Sequence, residues 1–497
     1  MLTHEEKINR IASKLKERKS AAPVSFKKKS VSHQVPKPQD KRYLDEKIDL
    51  SDLNEILFID TEREICVAEP GVTFIDLVRE TLKHNLVPAV VPELETITIG
   101  GAVAGGSLES MSYKYGGFHD SCLEYEVITA TGNVITCTPD NDNKLVFQMV
   151  HGTFGTLGVI SRIKFKLLPA KPYVHVAYEK YNNLEDYKKA TWKHYQTQDV
   201  DFMDGIIHSP TELVLSIANF ADEAPYTHRY NWMRVYYQST KKRKEDYLKT
   251  ADYFFRYERG VTHVSFNSFL GRFFFGKFVT STNVLRIVEK FHKLITPDKI
   301  PITIDLFIPF SKMTGFFEWY KKEINHFPLW WVPYKMVRRY EWISPDFFEQ
   351  TNDGLFLDVA IYGMKKSGGK NYYRMMEEEL ISIGGIKTLI SNNYYSEKEF
   401  WKIWNKQNYD QVNEKINPIQ TVKEAGGAIK QRVFGYIAAG LGLVAGLAWN
   451  DAIKVLIERF IPDTGNTIIA KITYAIILTL IVGFIIFYLE RLLNKKS

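Results

Sequence analysis

Three cysteines in 497 residues, Cys66, Cys122 and Cys137, are too few and too far apart for a disulfide framework or a CxxC zinc site. GxGxxG is missing, which excludes a separate nicotinamide-binding Rossmann unit; the nearest look-alike, Gly440 and Gly442, sits in an apolar run. GxSxG, HExxH and a P-loop are missing too, so nucleophile-elbow, zincin and nucleoside-triphosphatase chemistries lose their usual signatures. The twelve histidines include no pair at helical ligand spacing, and no metal site is expected. Met1–Ser20 has no apolar stretch of the kind a signal peptide needs, so a reducing compartment is expected. The net charge of +7 is carried almost wholly by residues 1–50, with 13 Lys/Arg against 7 Asp/Glu. A near-neutral body lacks the basic face of a nucleic-acid binder, and no nucleic-acid partner is expected. The basic N-terminal arm reads as a charged helix or solvated tail over 1–21, with anionic lipid or phosphate contact as the alternative.

What is there can bury a core: 45% of residues are hydrophobic and 25% charged, which excludes global disorder. The length suits about three to four domains. Ala22–Asp40 reads as irregular. Strands are expected at Ile56–Asp60 and Glu64–Ala68, and a helix at Thr73–Asn85 with Phe74, Leu77, Val78 and Leu82 on one face. A hairpin turns at Thr131-Gly132-Asn133, and Ile163–Leu168 forms a strand ended by Pro169. A boundary near Lys171-Pro172 separates a first domain, 22–172, from a second, 173–420, rich in aromatics such as Trp330-Trp331 and Tyr394-Tyr395. Such aromatics serve a core or an apolar substrate pocket.

The last 73 residues differ in kind. Residues 433–449 and 472–489 carry no charge, and with Lys471 snorkelling the second run extends from about 468. Aromatics near their ends and Gly442/Gly446 in a GxxxG suit a two-span membrane hairpin over 425–497. Basic residues flank both sides about equally, so orientation rests on the missing signal peptide, which favours a cytoplasmic body.

Two glycine-rich blocks stand out in the first domain. Thr96–Gly117 holds six glycines, Gly100, Gly101, Gly105, Gly106, Gly116 and Gly117, interleaved with Ala102, Ser107, Ser110 and Ser112. His151–Ile160 places Gly152, Gly155 and Gly158 at every third position. Stripped of bulky side chains, such runs let backbone N–H groups approach a pyrophosphate, with serine hydroxyls as further donors; tight turns use glycine as well. His119 and His151 flank the blocks and read as satisfied structural histidines.

Ile97-Thr-Ile-Gly-Gly101 with Tyr113-Lys-Tyr-Gly116, followed by Gly155-Thr-Leu-Gly-Val-Ile160, resembles the FAD-binding domain of the vanillyl-alcohol oxidase (PCMH) superfamily. Val91–Glu95, Glu109–Gly116, Pro169–Val174, Leu357–Gly363 and Glu399–Trp401 narrow the resemblance to the delta(24)-sterol reductase (diminuto) family, over about residues 45–415. The resemblance implies an α+β fold: a two-subdomain flavin domain, an α/β cap over the isoalloxazine ring, and here an added C-terminal hairpin. It implies non-covalent FAD and NADPH as hydride donor, with a sterol or similar lipid as substrate. Carried over by position, Thr98, Ile99, Gly100, Gly101, Ala102, Gly105, Gly106, Ser107 and Ser110, with Tyr115 and Gly116, would cradle the pyrophosphate side. Gly152, Thr153, Gly155, Thr156, Gly158, Val159 and Ile160 would line the adenine and ribose side. Lys27–Val35 falls where the superfamily places its first phosphate loop but lacks the Gly-Gly. Alkene reduction also needs a proton donor; Glu109, Tyr394 and Tyr395 are side chains of the right type, and none is assigned as catalytic. On the same fold, oxidation of a hydroxy acid or alditol, or a redox-silent flavin scaffold, are the competing functions.

Overall fold

A computed structural model describes residues 2–18, 23–33, 44–260, 269–290, 300–351, 353–366 and 369–417. The chain divides into two units, Met1–Pro418 and Ile419–Ser497. The second, with the expected hairpin, lies outside the described residues. Among the described residues no helix is long and apolar enough to cross a membrane.

The first unit begins with helix α1 (His4–Lys16), opened by a capping box in which Thr3 and Glu6 satisfy each other's backbone N–H groups. The expected charged helix forms, but it is docked on the body rather than solvated. Ile8, Ile11 and Leu15 recur at helical spacing and pack against Ile128 and Val159. Beneath them Lys7 Nζ sits 3.0 Å from Glu69 Oε2, both side chains buried. The arm's charge is therefore partly spent on docking.

Strand β1 (Val24–Lys27) lies in the stretch expected to be irregular and pairs in parallel with β2 (Glu46–Asp49). The first large sheet uses β3 (Ile56–Asp60), β4 (Ile65–Ala68), β5 (Leu86–Pro88), β6 (Cys122–Ile128), β7 (Val134–Cys137) and β8 (Val159–Pro169). Its order is β3-β4-β8-β6-β7, with β5 added on β8, and every pairing is antiparallel. Helix α2 (Phe74–Thr81), capped by Thr73, buries Phe74, Leu77 and Val78 on it. The turn at Thr131–Asn133 forms as read, with Gly132 left-handed at φ 78°. Strand β8 starts four residues before the expected Ile163 and so absorbs Val159 and Ile160.

The second sheet has eight strands: β9 (Tyr173–Tyr181), β10 (Phe202–Ser209), β11 (Glu212–Ala221), β12 (Glu245–Lys249), β13 (Ile302–Pro309), β14 (Leu329–Lys335), β15 (Leu355–Met364) and β16 (Ile386–Lys387). The order is β12-β9-β11-β10-β14-β15-β13-β16. An α/β cap was expected; these pairings are antiparallel throughout, so the layer is α+β. Period-two alternation gives the sheet two buried faces. Leu357, Val359 and Ile361 of β15 face helices 184–197, 313–323 and 372–383 through Tyr187, Phe316 and Met376. Ala360 and Tyr362, with Trp330 and Val332 of β14, join the core of the first sheet instead. Every second residue of the central strands is thus delivered toward the glycine-rich domain.

Candidate functional site

The two glycine blocks meet. Residues 99–105 of the first form a short helix, α3 (Ile99–Gly105), rather than an open loop, with the Thr98 hydroxyl accepting the Gly101 N–H at 3.2 Å. The second block joins it through its backbone: Gly152 N–H donates to the Val103 carbonyl (3.3 Å) and Phe154 N–H to that of Ala104 (3.2 Å).

The glycines serve two purposes. Gly106 (φ 71°) and Gly152 (φ 64°) are left-handed, and a Cβ on either would meet nothing within 4 Å. They border open space. Gly105 faces only the Phe154 ring, 3.9 Å from a built Cβ. Gly100, Gly155 and Gly158 are needed by packing: a Cβ would come within 2.5 Å of Pro70, 2.7 Å of the Phe26 ring and 2.9 Å of Val127. Gly116 is pressed against Asp120 in the same way.

Gly105, Gly106, Leu108, His119, Gly152 and Phe154 form one wall of a cleft. The opposite wall comes from the second sheet and the segments after it, and includes Phe307, Tyr334, Met336, Tyr340, Trp342, Phe356, Thr388 and Trp404. Ile99 and Ala102 are core residues beneath the glycine wall. Ser107 is held by its backbone to Ala102 and Phe118, and the Thr153 hydroxyl is spent on the Val150 carbonyl. Tyr115 and Thr156 are exposed. Val159 faces α1, away from the cleft, and Ile160 packs on the first sheet's core. His33, in the stretch aligned with a phosphate loop, bonds Thr96 (3.0 Å) just before α3.

Ser110 is not a free donor. Ser110 gives its N–H and hydroxyl to Glu109, and Ser112 Oγ accepts the Glu109 N–H at 3.0 Å. Glu109 in turn meets Arg256 (2.9 Å), which also reaches Asp204 (3.1 Å). Tyr257 and Trp330 Nε1 donate to the other oxygen of Asp204, and the guanidinium lies 4.0 Å from the Tyr253 ring centroid. This fully buried network bolts the glycine domain to the second sheet, and it occupies Glu109. Burial raises the Glu109 carboxyl while Arg256 opposes the rise.

A second cluster stands at the cleft itself. Asp120 receives Arg338 (3.0 Å), the Tyr340 hydroxyl (2.7 Å) and the Gly117 N–H (2.9 Å). Tyr340 also accepts the Tyr334 hydroxyl and stacks on Trp342 at 5.2 Å. His119 packs edge-on against Tyr340 at 5.4 Å. It is 2% exposed, yet neither ring nitrogen has a hydrogen-bond partner. The reading of His119 as a satisfied structural histidine is therefore overturned. Desolvation holds its pKa below the ordinary histidine value despite Asp120 beside it, so the ring is neutral at neutral pH. His151 is half satisfied, through Tyr125 (2.9 Å). Of the remaining proton-donor candidates, Tyr394 is exposed and Tyr395 packs behind Trp404.

One more carboxyl reaches the wall. Asp305 accepts the Tyr362 hydroxyl (2.5 Å) and the Thr388 hydroxyl (3.4 Å), and Thr388 lines the cleft. Burial raises the pKa of Asp305.

Two empty Cβ positions and an orphaned buried imidazole fit a large polar ligand lying along the glycine wall, and a flavin nucleotide has the length and acceptors for it. Sequence reasoning missed Asp120, Arg338, Tyr340 and Asp305; none carries a local motif.

Comparison with known proteins agrees. A family model described as an FAD binding domain matches residues 35–138. Delta(24)-sterol reductase of Pisum sativum is 26% identical over 84% of this chain and 82% of its own length; that of Homo sapiens is 27% identical over 73% and 74%. Cytokinin dehydrogenase 7 of Oryza sativa is 32% identical over 23% of this chain and 22% of its own. Residues 426–496 match a family of unknown function, DUF5654. The chain is an FAD-dependent oxidoreductase. Within that class it is a relative of the delta(24)-sterol reductases.

Proposed function

We propose that the protein reduces a carbon–carbon double bond in a sterol or other isoprenoid lipid, with NADPH as hydride donor and non-covalent FAD between them. The observation that carries this is the make-up of the cleft: a backbone wall of small residues faces an aromatic and aliphatic wall suited to an apolar skeleton. The names of the relatives point the same way.

Bound FAD would supply the hydride chemistry; the chain's residues do the rest. Gly105, Gly106 and Gly152 leave room for the nucleotide, with Thr98, Gly101 and Thr153 beside them in the blocks that would hold its phosphates. His119, neutral and buried beside Asp120, backs the same wall. Tyr334, Tyr340, Trp342 and Trp404 hold the lipid and keep water out. The alkene needs a proton at its second carbon, and Asp305, whose carboxyl burial pushes up to about 6 and which is bonded to Thr388 at the wall, is the source this reading assigns. Residues 425–497 anchor the enzyme as a hairpin with spans at about 433–449 and 468–489, the flavin domain lying on the cytoplasmic side.

Anaerobic mixing tests the chemistry. Flavin bleached by NADPH and restored by a sterol with an isolated side-chain double bond supports the reading. Bleaching by lactate or an alditol instead replaces it with oxidation of a hydroxyl substrate. A purified chain that takes up no flavin removes both. Deleting 425–497 is expected to turn a protein that only detergent extracts into a yellow one that high salt or alkaline carbonate washes from membranes; a truncated chain that still needs detergent overturns the hairpin.

A further inference from the structure

Most of the large apolar side chains that are at least half exposed among the described residues lie together in sequence. Phe269, Leu270, Phe273, Phe274, Phe278 and Ile287 are each between 50% and 73% exposed. They belong to helix Phe269–Phe275, the turn after it, and helix Ser281–Lys290. Single exposed hydrophobes are ordinary, but such a concentration marks an interaction surface. The surface is built, not loose. Arg259 Nη1 holds the carbonyls of Gly276 (3.1 Å) and Lys277 (2.5 Å), and Arg272 is buried against the Trp232 carbonyl (2.5 Å). Glu258 fixes the second helix through the Thr282 N–H (3.0 Å) and also accepts the Glu95 N–H (3.2 Å), while Thr96 bonds Thr282 (3.0 Å). The patch is thereby tied to the residues that lead directly into α3 and the glycine wall.

Charge selects the occupant. Residues 269–287 contain no Asp or Glu and three Lys/Arg, of which Lys277 and Arg286 are exposed. A run of exposed phenylalanines with two exposed cations among them and no acidic residue between Phe269 and Ile287 matches the interfacial zone of a bilayer containing anionic phospholipid. A second copy docked by a twofold would bring like charges face to face. Residues 419–497 are themselves net basic and offer no complement. We propose that this surface of the second domain inserts into the headgroup and upper acyl region of an anionic membrane, as a monotopic contact separate from the C-terminal runs. It would place the flavin domain's cap directly on the phase in which a lipid substrate is dissolved. The inference stands on exposure and charge and does not depend on the reductase reading.

All three native cysteines are buried, so a single introduced thiol can be labelled selectively. Full-length holoprotein carrying Phe273→Cys or Phe278→Cys, labelled with a polarity-sensitive nitrobenzoxadiazole dye, is reconstituted in phosphatidylcholine vesicles with and without phosphatidylserine. Val134→Cys, exposed in the first sheet, is the control. The expected result is blue-shifted emission at both patch sites, quenched about three-fold by acyl-chain nitroxide lipid, with the control unquenched. Quenching should weaken without phosphatidylserine and in the Lys277→Glu/Arg286→Glu variant. Water-like emission at the patch in vesicles overturns the proposal. So does a blue shift without quenching; if it is independent of protein concentration the C-terminal segment covers the patch, and if it rises with concentration a second copy does. Flavin bleaching by NADPH is unaffected by any of these outcomes, so failure here is distinguishable from failure of the catalytic reading.

Discussion

The two walls of the cleft are made by opposite means. One is backbone: Gly105, Gly106 and Gly152 contribute emptiness, held in place by hydrogen bonds between two nearby stretches of chain. The other is side chain: Phe307, Tyr334, Tyr340, Phe356 and Trp404 arrive from strands and loops spread over about a hundred residues. A wall of glycine suits a ligand recognised by its own donors and acceptors, since the main chain has both everywhere. A wall of aromatics suits one recognised by shape and water exclusion. The contrast assigns cofactor and substrate to different sides, and it can be broken at several points.

The largest effect is expected where the walls are joined. Arg256→Met leaves Glu109 and Asp204 as buried neighbouring carboxylates without their cation. Breaking a buried pair from one side costs about 3–5 kcal/mol, so thermal unfolding of a cooperative unit of this size should shift down by about 3–6 degrees. A variant that melts like the parent would show that the two sheets are held by apolar packing alone.

Next come the glycines, which sharpen the comparison because they predict two phenotypes. Gly152→Val places a branched side chain at a positive φ and into the cleft. Strain there costs about 1–3 kcal/mol, and the filled space should strip flavin from a protein that still folds. Gly155→Val drives into the Phe26 ring and should lower stability. Flavin absorbance per mole of protein, beside melting temperature, separates the two. Equal flavin loss in both would erase the distinction between cleft and packing glycines.

These pairs also show what was legible in the sequence. Glycine density flagged both blocks and brought them together correctly, because backbone freedom is a local property. It could not say that Gly100, Gly155 and Gly158 answer to Pro70, Phe26 and Val127, for those contacts are tertiary. Val159 was read as nucleotide-lining, but strand β8 turns it toward α1. The strands Ile56–Asp60 and Ile65–Ala68 followed from alternation and a turn signal. An apolar pocket was one reading of the second domain's aromatics, but which of them line it stayed hidden, because Tyr340 and Trp404 become neighbours only through an eight-stranded sheet with non-local order. The N-terminal helix was legible but its docking was not, because charges dominate its composition whereas three residues at helical spacing decide its fate.

A smaller effect probes the aromatic side. If Asp305 supplies the proton, turnover should fall as pH rises through its elevated pKa, since only the protonated form donates. Asp305→Asn should slow reoxidation of reduced flavin by the alkene about 10²-fold while leaving reduction by NADPH unchanged. Loss of both half-reactions together would make Asp305 a structural carboxyl.

The smallest effect belongs to His119, between the walls. Its pKa is depressed in the fold, chiefly by desolvation, whereas in the unfolded chain it titrates at the ordinary value of about 6.5. Below that pH the unfolded chain binds a proton that the folded apoprotein refuses. Stability should therefore be full above about pH 7 and decline as pH falls through 6.5, by at most about 1.4 kcal/mol per pH unit for one such group. His119→Gln keeps polar atoms at the cleft and removes the titration, so its unfolding free energy should fall less steeply between pH 7 and 5.5 than that of the parent. Carboxyls raised by burial, Asp305 among them, act in the opposite sense and are common to both proteins, which is why the difference between them isolates His119. Parallel curves would mean that the imidazole accepts its proton in the folded state, and that Asp120, 3.4 Å away, outweighs the cost of taking the charge out of water.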